Sequence, residues 1–406
     1  MAALRLLLVL HHILRARRVD PSWIARQGLL AVKIAQTFAL RADMLDPARC
    51  DALASLLSNA GDPVPADAID QLLAQSTAAG WREAFERIEP TPLASASVGQ
   101  VHAGRLRDGR DVVIKVVKRN AARAFERDVR AALRIVRTAI AVYPALRRVA
   151  DPEGILESMR ESTLDELDLR IEAKHQALLR QLQATWSQKY DLKTLRFPTI
   201  EASLSGQHVL VSDHIEGATI DTLLREARLP YTTLLELFRI HGFFLFCVGT
   251  FHGDLHPGNV IVRGDELWFV DTGALGRASE HLRSGLFHFM AHLSDDDYDG
   301  CATALNAMAA APIDGPRLER FRRAFLAIYG DFRGKTVAEK SLTRTMMETI
   351  RSGVLHGMRF ERGMYPVIKS LMYLDGMVLR CNPHAILMRD MRRFIADFSP
   401  HLPSPQ

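Results

Sequence analysis

The hydrophobic period of this chain changes along its length, and that change restricts the fold more than any single residue does. Apolar residues recur at helical spacing through Ile24, Ala25, Leu29, Leu30, Val32, Ile34, Ala35 and Phe38, then through Ala52, Leu53, Leu56 and Leu57, then through Ile69, Leu72 and Leu73. This predicts helices over most of residues 1–85. Gly61-Asp-Pro63-Val-Pro65 interrupts them as a turn, and Asp67 is placed to cap the helix after it. From about Ile88 to Lys118 the period shortens, with β-like runs at Val98–Ala103 and Val112–Val117 flanking Arg107-Asp108-Gly109, a hairpin signal. Helical spacing returns over Ala121–Arg148 and in one long charged helix from Pro152 to about Gln183. Strands are expected at Phe197–Ile200 and Gln207–His214, a helical run at Leu223–Phe251, a short β-rich segment at Asn259–Gly273, and helices from there to about Phe398. At 406 residues the chain is long enough for two bodies, each with its own core. The pattern reads as α+β, with a helical extension (1–85), a small β-rich lobe (86–216), a mostly helical lobe (217–399) and a short tail (400–406).

Charge and cysteine content exclude several function classes. A formal net charge of +5 is mild for this length, and the arginine-containing stretch Arg119–Arg148 has little aromatic interleaving, so no nucleic-acid partner is expected. The four cysteines, Cys50, Cys247, Cys301 and Cys381, lie far apart without metal spacing, which indicates neither a disulfide framework nor zinc and suits a reducing, cytoplasmic location. No apolar run reaches the roughly 18 to 20 residues of a spanning helix. The richest candidates are Leu4–Leu14 and Phe243–Phe251. In the first, the basic residues Arg15, Arg17 and Arg18 follow the apolar run and no small-x-small site succeeds it, so a signal peptide is not indicated. This segment reads either as a helix packed on its domain or as an interfacial helix on an anionic membrane, which would place the protein peripherally at the inner face.

The chemistry concentrates in His252-Gly-Asp254-Leu-His256-Pro-Gly-Asn259. Asp254 and Asn259 are five apart, and Asn259 to Asp271 reads as strand, turn at Gly264-Asp265, strand, ending on Asp271-Thr-Gly273. Protein kinases use this spacing to hold one carboxylate by the attacking group while the Asn and the second Asp converge on phosphate-bound magnesium. An Asp with an Asn five residues on is common in surface loops, but the fixed turn Pro257-Gly258 and the Asp-x-Gly at the correct distance make the cluster specific. Upstream, Ala94-Ser95-Ala96-Ser97-Val98-Gly99-Gln100-Val101 stands where a kinase phosphate loop would, with alanine at its first two glycine positions. Lys115 of Val113-Ile-Lys115 follows sixteen residues beyond Gly99 and would grip the α- and β-phosphates. A carboxylate partner for Lys115 is offered by Glu166, Asp168 or Glu172; Asp168 and Glu172, four apart, would share a helix face. Spacing alone does not choose among them.

These residues resemble the AarF/UbiB family of atypical kinases, associated with ubiquinone and other prenyl-lipid metabolism. The alanine loop with Ser97-Val98-Gly99-Gln100-Val101-His102, the Glu166-x-Asp168 pair followed by Glu172-Ala173, and the 252–259 loop are all similar to that family's signatures. So is Val32-Lys33-Ile34-Ala35-Gln36, continuing to Leu40-Arg41-Ala-Asp43-Met-Leu45, which looks like its Lys-x-Gly-Gln helix with Ala35 in place of glycine. The resemblance covers roughly residues 20–390 and implies a protein-kinase-like bilobal fold. It implies ATP (or ADP) with Mg²⁺, Glu172 paired with Lys115, Asp254 as the catalytic carboxylate, Asn259 and Asp271 on the metal, and Lys33, Gln36, Glu166 and Asp168 about the nucleotide. In that family the Lys33 helix lies where a protein substrate would enter, which favours a small-molecule or lipid acceptor. Thr272 departs from the Phe of Asp-Phe-Gly, and Ser58–Pro65 fits only loosely. Two other readings share the 252–259 loop: an aminoglycoside- or choline-kinase-like phosphotransferase, and a catalytically silent nucleotide-dependent scaffold.

Overall fold

The alternating run at 99–117 folds as its pattern predicts. In the computed structural model, which describes residues 2–39, 45–58, 69–71, 73–74, 81–95, 99–117, 121–143, 152–361 and 363–402, strand β2 (Gly99–Leu106) turns at Gly109, whose φ of 90° suits glycine, into β3 (Asp111–Val117). Strand β1 (Phe85–Ser95) flanks β2, and β5 (Val209–Asp213) flanks β3, in an antiparallel sheet of order β1-β2-β3-β5. Strand alternation sends Val112, Ile114 and Val116 to one face, where they pack with Phe85, Leu106 and Val211. It sends Lys115, opposite Val101 and Leu210 in register, to the other. At Gly99 a Cβ would lie 2.2 Å from the Val116 carbonyl oxygen, so only glycine fits this register.

Two compact units emerge. The first comprises Met1–Lys174 and Pro198–His214, the second His175–Phe197 and Ile215–Gln406. The expected extension at 1–85 therefore shares a unit with the sheet, while His175–Phe197 counts with the helical lobe.

Besides the sheet, the first unit has a helical core. Its helices among the described residues include α1 (Ala2–Arg15), α2 (Pro21–Ala25), α3 (Leu29–Ala39), α4 (Pro47–Ser58), α5 (Trp81–Ala84), α6 (Ala121–Val142) and α7 (Pro152–Glu166). Val9, Ile13, Ile24, Ala35, Leu53, Phe125 and Val129 meet in that core. Ala35 is fully buried, so its methyl is part of the packing. The single long helix expected from Pro152 is two helices, α7 and α8 (Leu169–Trp186). Leu167 and Leu169 at the break are buried against Val117 and Leu210, and Leu169 N donates to Gln207 O at 2.9 Å. Apolar burial there outweighs helix continuity. The Gly61–Pro65 turn, the Asp67 cap, Leu72, residues 41–44 and the 144–148 end of the basic stretch lie outside the described residues.

The second unit is mostly helical. Helix α9 (Ile220–Arg225) and α10 (Tyr231–Phe243) replace the single run expected over Leu223–Phe251, because Pro230 and the left-handed Ala227 (φ 53°) separate them. A π-helical turn, Phe244–Val248, prolongs α10 to Gly249 (φ 80°), where the chain reverses into β7 (Thr250–His252). By length and composition Tyr231–Val248 could cross a membrane, contrary to the expectation that no run is long enough, but 67% of it is buried inside the protein. Strands β8 (Val260–Arg263) and β9 (Glu266–Phe269) form the expected hairpin, turning at Gly264 (φ 60°). They join β4 (Leu195–Arg196) and β6 (Ala218–Thr219) in the order β4-β9-β8-β6, and β7 pairs with β10 (Leu275–Arg277). The strand expected at Phe197–Ile200 is displaced: β4 ends before Pro198, which has no N–H to donate, and Ile200 makes only an isolated bridge to Ser212. Helices α11 (Glu280–Ser294), α12 (Tyr298–Ala307), α13 (Gly315–Tyr329), α14 (Leu342–Leu355), α15 (Met364–Cys381) and α16 (Leu387–Phe398) complete the unit.

Candidate active site

Each unit carries its own constellation of the expected residues. In the first, Lys115 Nζ reaches Glu172 Oε2 at 2.7 Å. Glu172 lies in the first turn of α8 and its side chain is only 4% exposed, so of the three carboxylates offered by the sequence the structure selects it. Glu166, at the end of α7, instead accepts an ion pair from Lys33 of α3, which ties the extension to the Glu-x-Asp segment. Asp168 does not share a helix face with Glu172 as expected. It sits in the break before α8, where its carboxylate takes Arg170 both by backbone and side chain, and that hydrogen bonding holds its pKa below the usual value. Gln36 bonds within the extension: its Nε2 donates to Leu56 O at 2.8 Å.

The alanine loop is partly visible. Ala94 and Ser95 end β1, paired with Val101 and Gln100, while Ala96, Ser97 and Val98 lie outside the described residues. Gln100 is buried and its Oε1 meets His102 Nε2 at 3.2 Å. Its Nε2, and the hydroxyl of Ser95, are buried with no hydrogen-bond partner among the described residues. Buried polar groups left open in this way cost stability unless something satisfies them. Two of them flanking the place of a phosphate loop fit a polyanionic ligand.

In the second unit the 252–259 loop is built by short-range constraints. Gly253 N donates to Ala274 O at 2.9 Å, and a Cβ at Gly253 would lie 2.9 Å from Gly276 N, so the loop packs on the 271–276 segment too closely for a side chain. A Cβ at Gly276 would fall 2.2 Å from the buried Phe251 ring. His252 is buried, contacts the Asp271 carbonyl through Nε2 and accepts from Asp254 N through Nδ1 at 3.2 Å. Burial lowers its pKa, leaving a neutral ring that orients the two aspartates. Asn259 Nδ2 donates to Asp254 O at 3.0 Å, which commits the nitrogen to the loop, so the amide oxygen is the atom that could face a cation. Asp271 Oδ1 accepts from Gly273 N at 3.1 Å, and Thr272, at the place of the Phe in the kinase Asp-Phe-Gly, is buried. No cluster of three or more His, Cys, Asp or Glu able to hold a metal exists among the described residues. One amide oxygen and one carboxylate suit magnesium, which keeps most of its ligands as water and substrate phosphate.

Asp254 has a partner that the sequence did not announce. Lys369 Nζ of α15 stands 3.1 Å from Asp254 Oδ1. Burial pushes the Asp254 pKa up, but the Lys369 charge and its hydrogen bond together outweigh that and the carboxyl is held below its usual range. The available signal is a lone lysine in an otherwise apolar run, Met364-Tyr-Pro-Val-Ile-Lys369-Ser-Leu-Met-Tyr373.

The family model described as "ABC1 atypical kinase-like domain" matches residues 56–305. An uncharacterized chloroplastic aarF domain-containing protein kinase of Arabidopsis thaliana is 25% identical over 398 residues, covering 91% of this chain and 73% of its own length. A probable protein kinase UbiB of Aliivibrio fischeri is 26% identical over 377 residues, covering 91% of this chain and 68% of its own. Among solved structures, the Rv3197–erythromycin complex from Mycobacterium tuberculosis shares the fold at a TM-score of 0.52 and 22% identity, covering 94% of this chain and 96% of that one.

Proposed function

The chain belongs to the ABC1 atypical kinase-like family, and from that premise we propose that it is a Mg²⁺-dependent, ATP-using phosphotransferase or ATPase of the UbiB type. The observation that carries this reading is the Lys115–Glu172 ion pair at 2.7 Å, which joins a strand lysine to a helix carboxylate 57 positions on. A lysine so restrained presents a fixed ammonium to the α- and β-phosphates of a nucleotide. Asn259 and Asp271 would hold magnesium, which when bound neutralises phosphate charge; Asp254 orients the acceptor and takes its proton. Lys33, paired with Glu166, braces the carboxylate segment that leads into α8.

The acceptor is proposed to be a small molecule or lipid, in a ubiquinone or other prenyl-lipid context, on the strength of the Lys33-to-Gln36 helix resemblance. An anionic membrane surface is the proposed partner of α1. Leu6, Val9 and Ile13 bury one face of that helix, while Leu7, Leu8 and Leu14 stay exposed beside Arg15, Arg17 and Arg18. Apolar side chains among arginines are what an acidic bilayer surface binds, and they would keep a cytoplasmic protein at the membrane. The test is ATP hydrolysis by the purified chain with Mg²⁺, with and without anionic liposomes. Turnover above an Asp271→Ala control supports the proposal, and turnover equal to that control defeats it.

A further inference from the structure

We infer that Lys369 is a positioning residue for Asp254, supplying from a distant helix the cation that the 252–259 loop itself lacks. The inference deepens the phosphotransferase reading and rests on it. Between His252 and Asn259 the loop contains no Lys or Arg. About a third of the Asp254 side chain is exposed, yet its Oδ1 is shut away from solvent. A carboxylate oxygen in that situation is strongly disfavoured unless a cation compensates it. Among the described residues the cation within ion-pair reach is Lys369, at 3.1 Å.

The placement of Lys369 is built by α15 and does not depend on a flexible side chain alone. Ser370, the next residue, is fully buried and hydrogen bonds His241 Nε2 at 3.0 Å; His241 in turn stands edge-on to Phe251, the residue before the loop, at 5.5 Å. One turn on, Tyr373 meets the His256 ring edge-on at 5.6 Å, and the Lys369 ammonium lies over the Tyr373 ring at 5.7 Å. Thus three side chains of one helical turn contact the catalytic loop or its support. Lys369 is the charged one, and it points at the reacting carboxylate. With Oδ1 taken by Lys369, the exposed remainder of the carboxyl is left to meet the acceptor. An ordinary structural ion pair would contribute to folding alone; this one fixes the orientation of the group that receives the proton.

The test is a double-mutant cycle on ATP turnover by the full chain, comparing wild type, Lys369→Met, Lys369→Arg, Asp254→Asn and the Asp254→Asn/Lys369→Met double variant, with Mg·ATP affinity and melting temperature measured alongside. Lys369→Met is expected to lower kcat by ~100-fold, at the low end of what a general base contributes, while Mg·ATP affinity changes by less than about 2-fold. Lys369→Arg should recover to within ~10-fold of wild type. In the Asp254→Asn background the Met substitution should cost less than about 3-fold, because the residue it positions is gone. An unchanged kcat in Lys369→Met, or the same 100-fold loss with or without Asp254, overturns the inference. So does a loss that tracks melting temperature and is not rescued by arginine. Wild-type protein that binds no Mg·ATP and shows no turnover would defeat the phosphotransferase reading first, and with it the role assigned to Lys369.

Discussion

Replacing Lys115 by methionine separates folding from function at the central ion pair. Lys115 is 23% exposed and Glu172 4% exposed, with 2.7 Å between charges, so the pair is largely withdrawn from water. Removing one partner of a buried pair costs about 3–5 kcal/mol, because the remaining charge stays desolvated. The partial exposure of Lys115 lets water compensate some of this, which brings the expected loss for Lys115→Met to ~2–3 kcal/mol. For a unit of this size that is a fall in melting temperature of about 5–10 °C, readable by circular dichroism. Substituting both residues, as Lys115→Met with Glu172→Leu, removes the stranded carboxylate and should return stability to within ~1 kcal/mol of wild type. Nucleotide binding should stay lost in the single and the double variant alike. Wild-type stability in Lys115→Met, or a double variant no more stable than the single, would refute the reasoning, because either result means the pair is not buried and coupled as described.

Two further outcomes follow from other parts of the molecule. Burial lowers the pKa of His241 from the usual 6.5 to about 3, so the native ring stays neutral while the unfolded chain takes up a proton below about pH 6.5. Stability is therefore full above that pH and declines as pH falls toward about 3, and His241→Asn should reduce the slope of unfolding free energy against pH by roughly one proton in that window; an unchanged slope contradicts the burial argument. On α1, Leu7→Glu with Leu8→Glu alters exposed positions only and should abolish co-sedimentation with anionic vesicles at unchanged melting temperature. Wild-type binding that is indifferent to anionic lipid would remove the membrane proposal.

Much of the constellation in each unit was legible in the sequence where its parts are local. Asp254, Asn259 and Asp271 fall within one loop and one hairpin, and the turn at Gly264 could be read directly. Lys115 was legible from strand alternation. Its partner was not: Glu166, Asp168 and Glu172 have equivalent chemistry, and the choice depends on a helix break at Leu167–Leu169 created by tertiary burial against Val117 and Leu210. The same cause split the predicted 152–183 helix. Lys369 was missed for a related reason, since it lies 115 positions from Asp254 and no spacing rule reaches that far. The strand expected at Phe197–Ile200 is displaced to Leu195–Arg196 because Pro198 has no N–H to pair.

The most direct test of the account is calorimetric titration of the full chain with ATP, with Mg²⁺ present and with it chelated, beside Asp271→Ala. The account predicts saturable binding that requires magnesium in wild type and is weakened at least about tenfold in the variant, equivalent to ~1.4 kcal/mol. Binding that is absent from folded wild-type protein, or equal in the two proteins and indifferent to Mg²⁺, would contradict it.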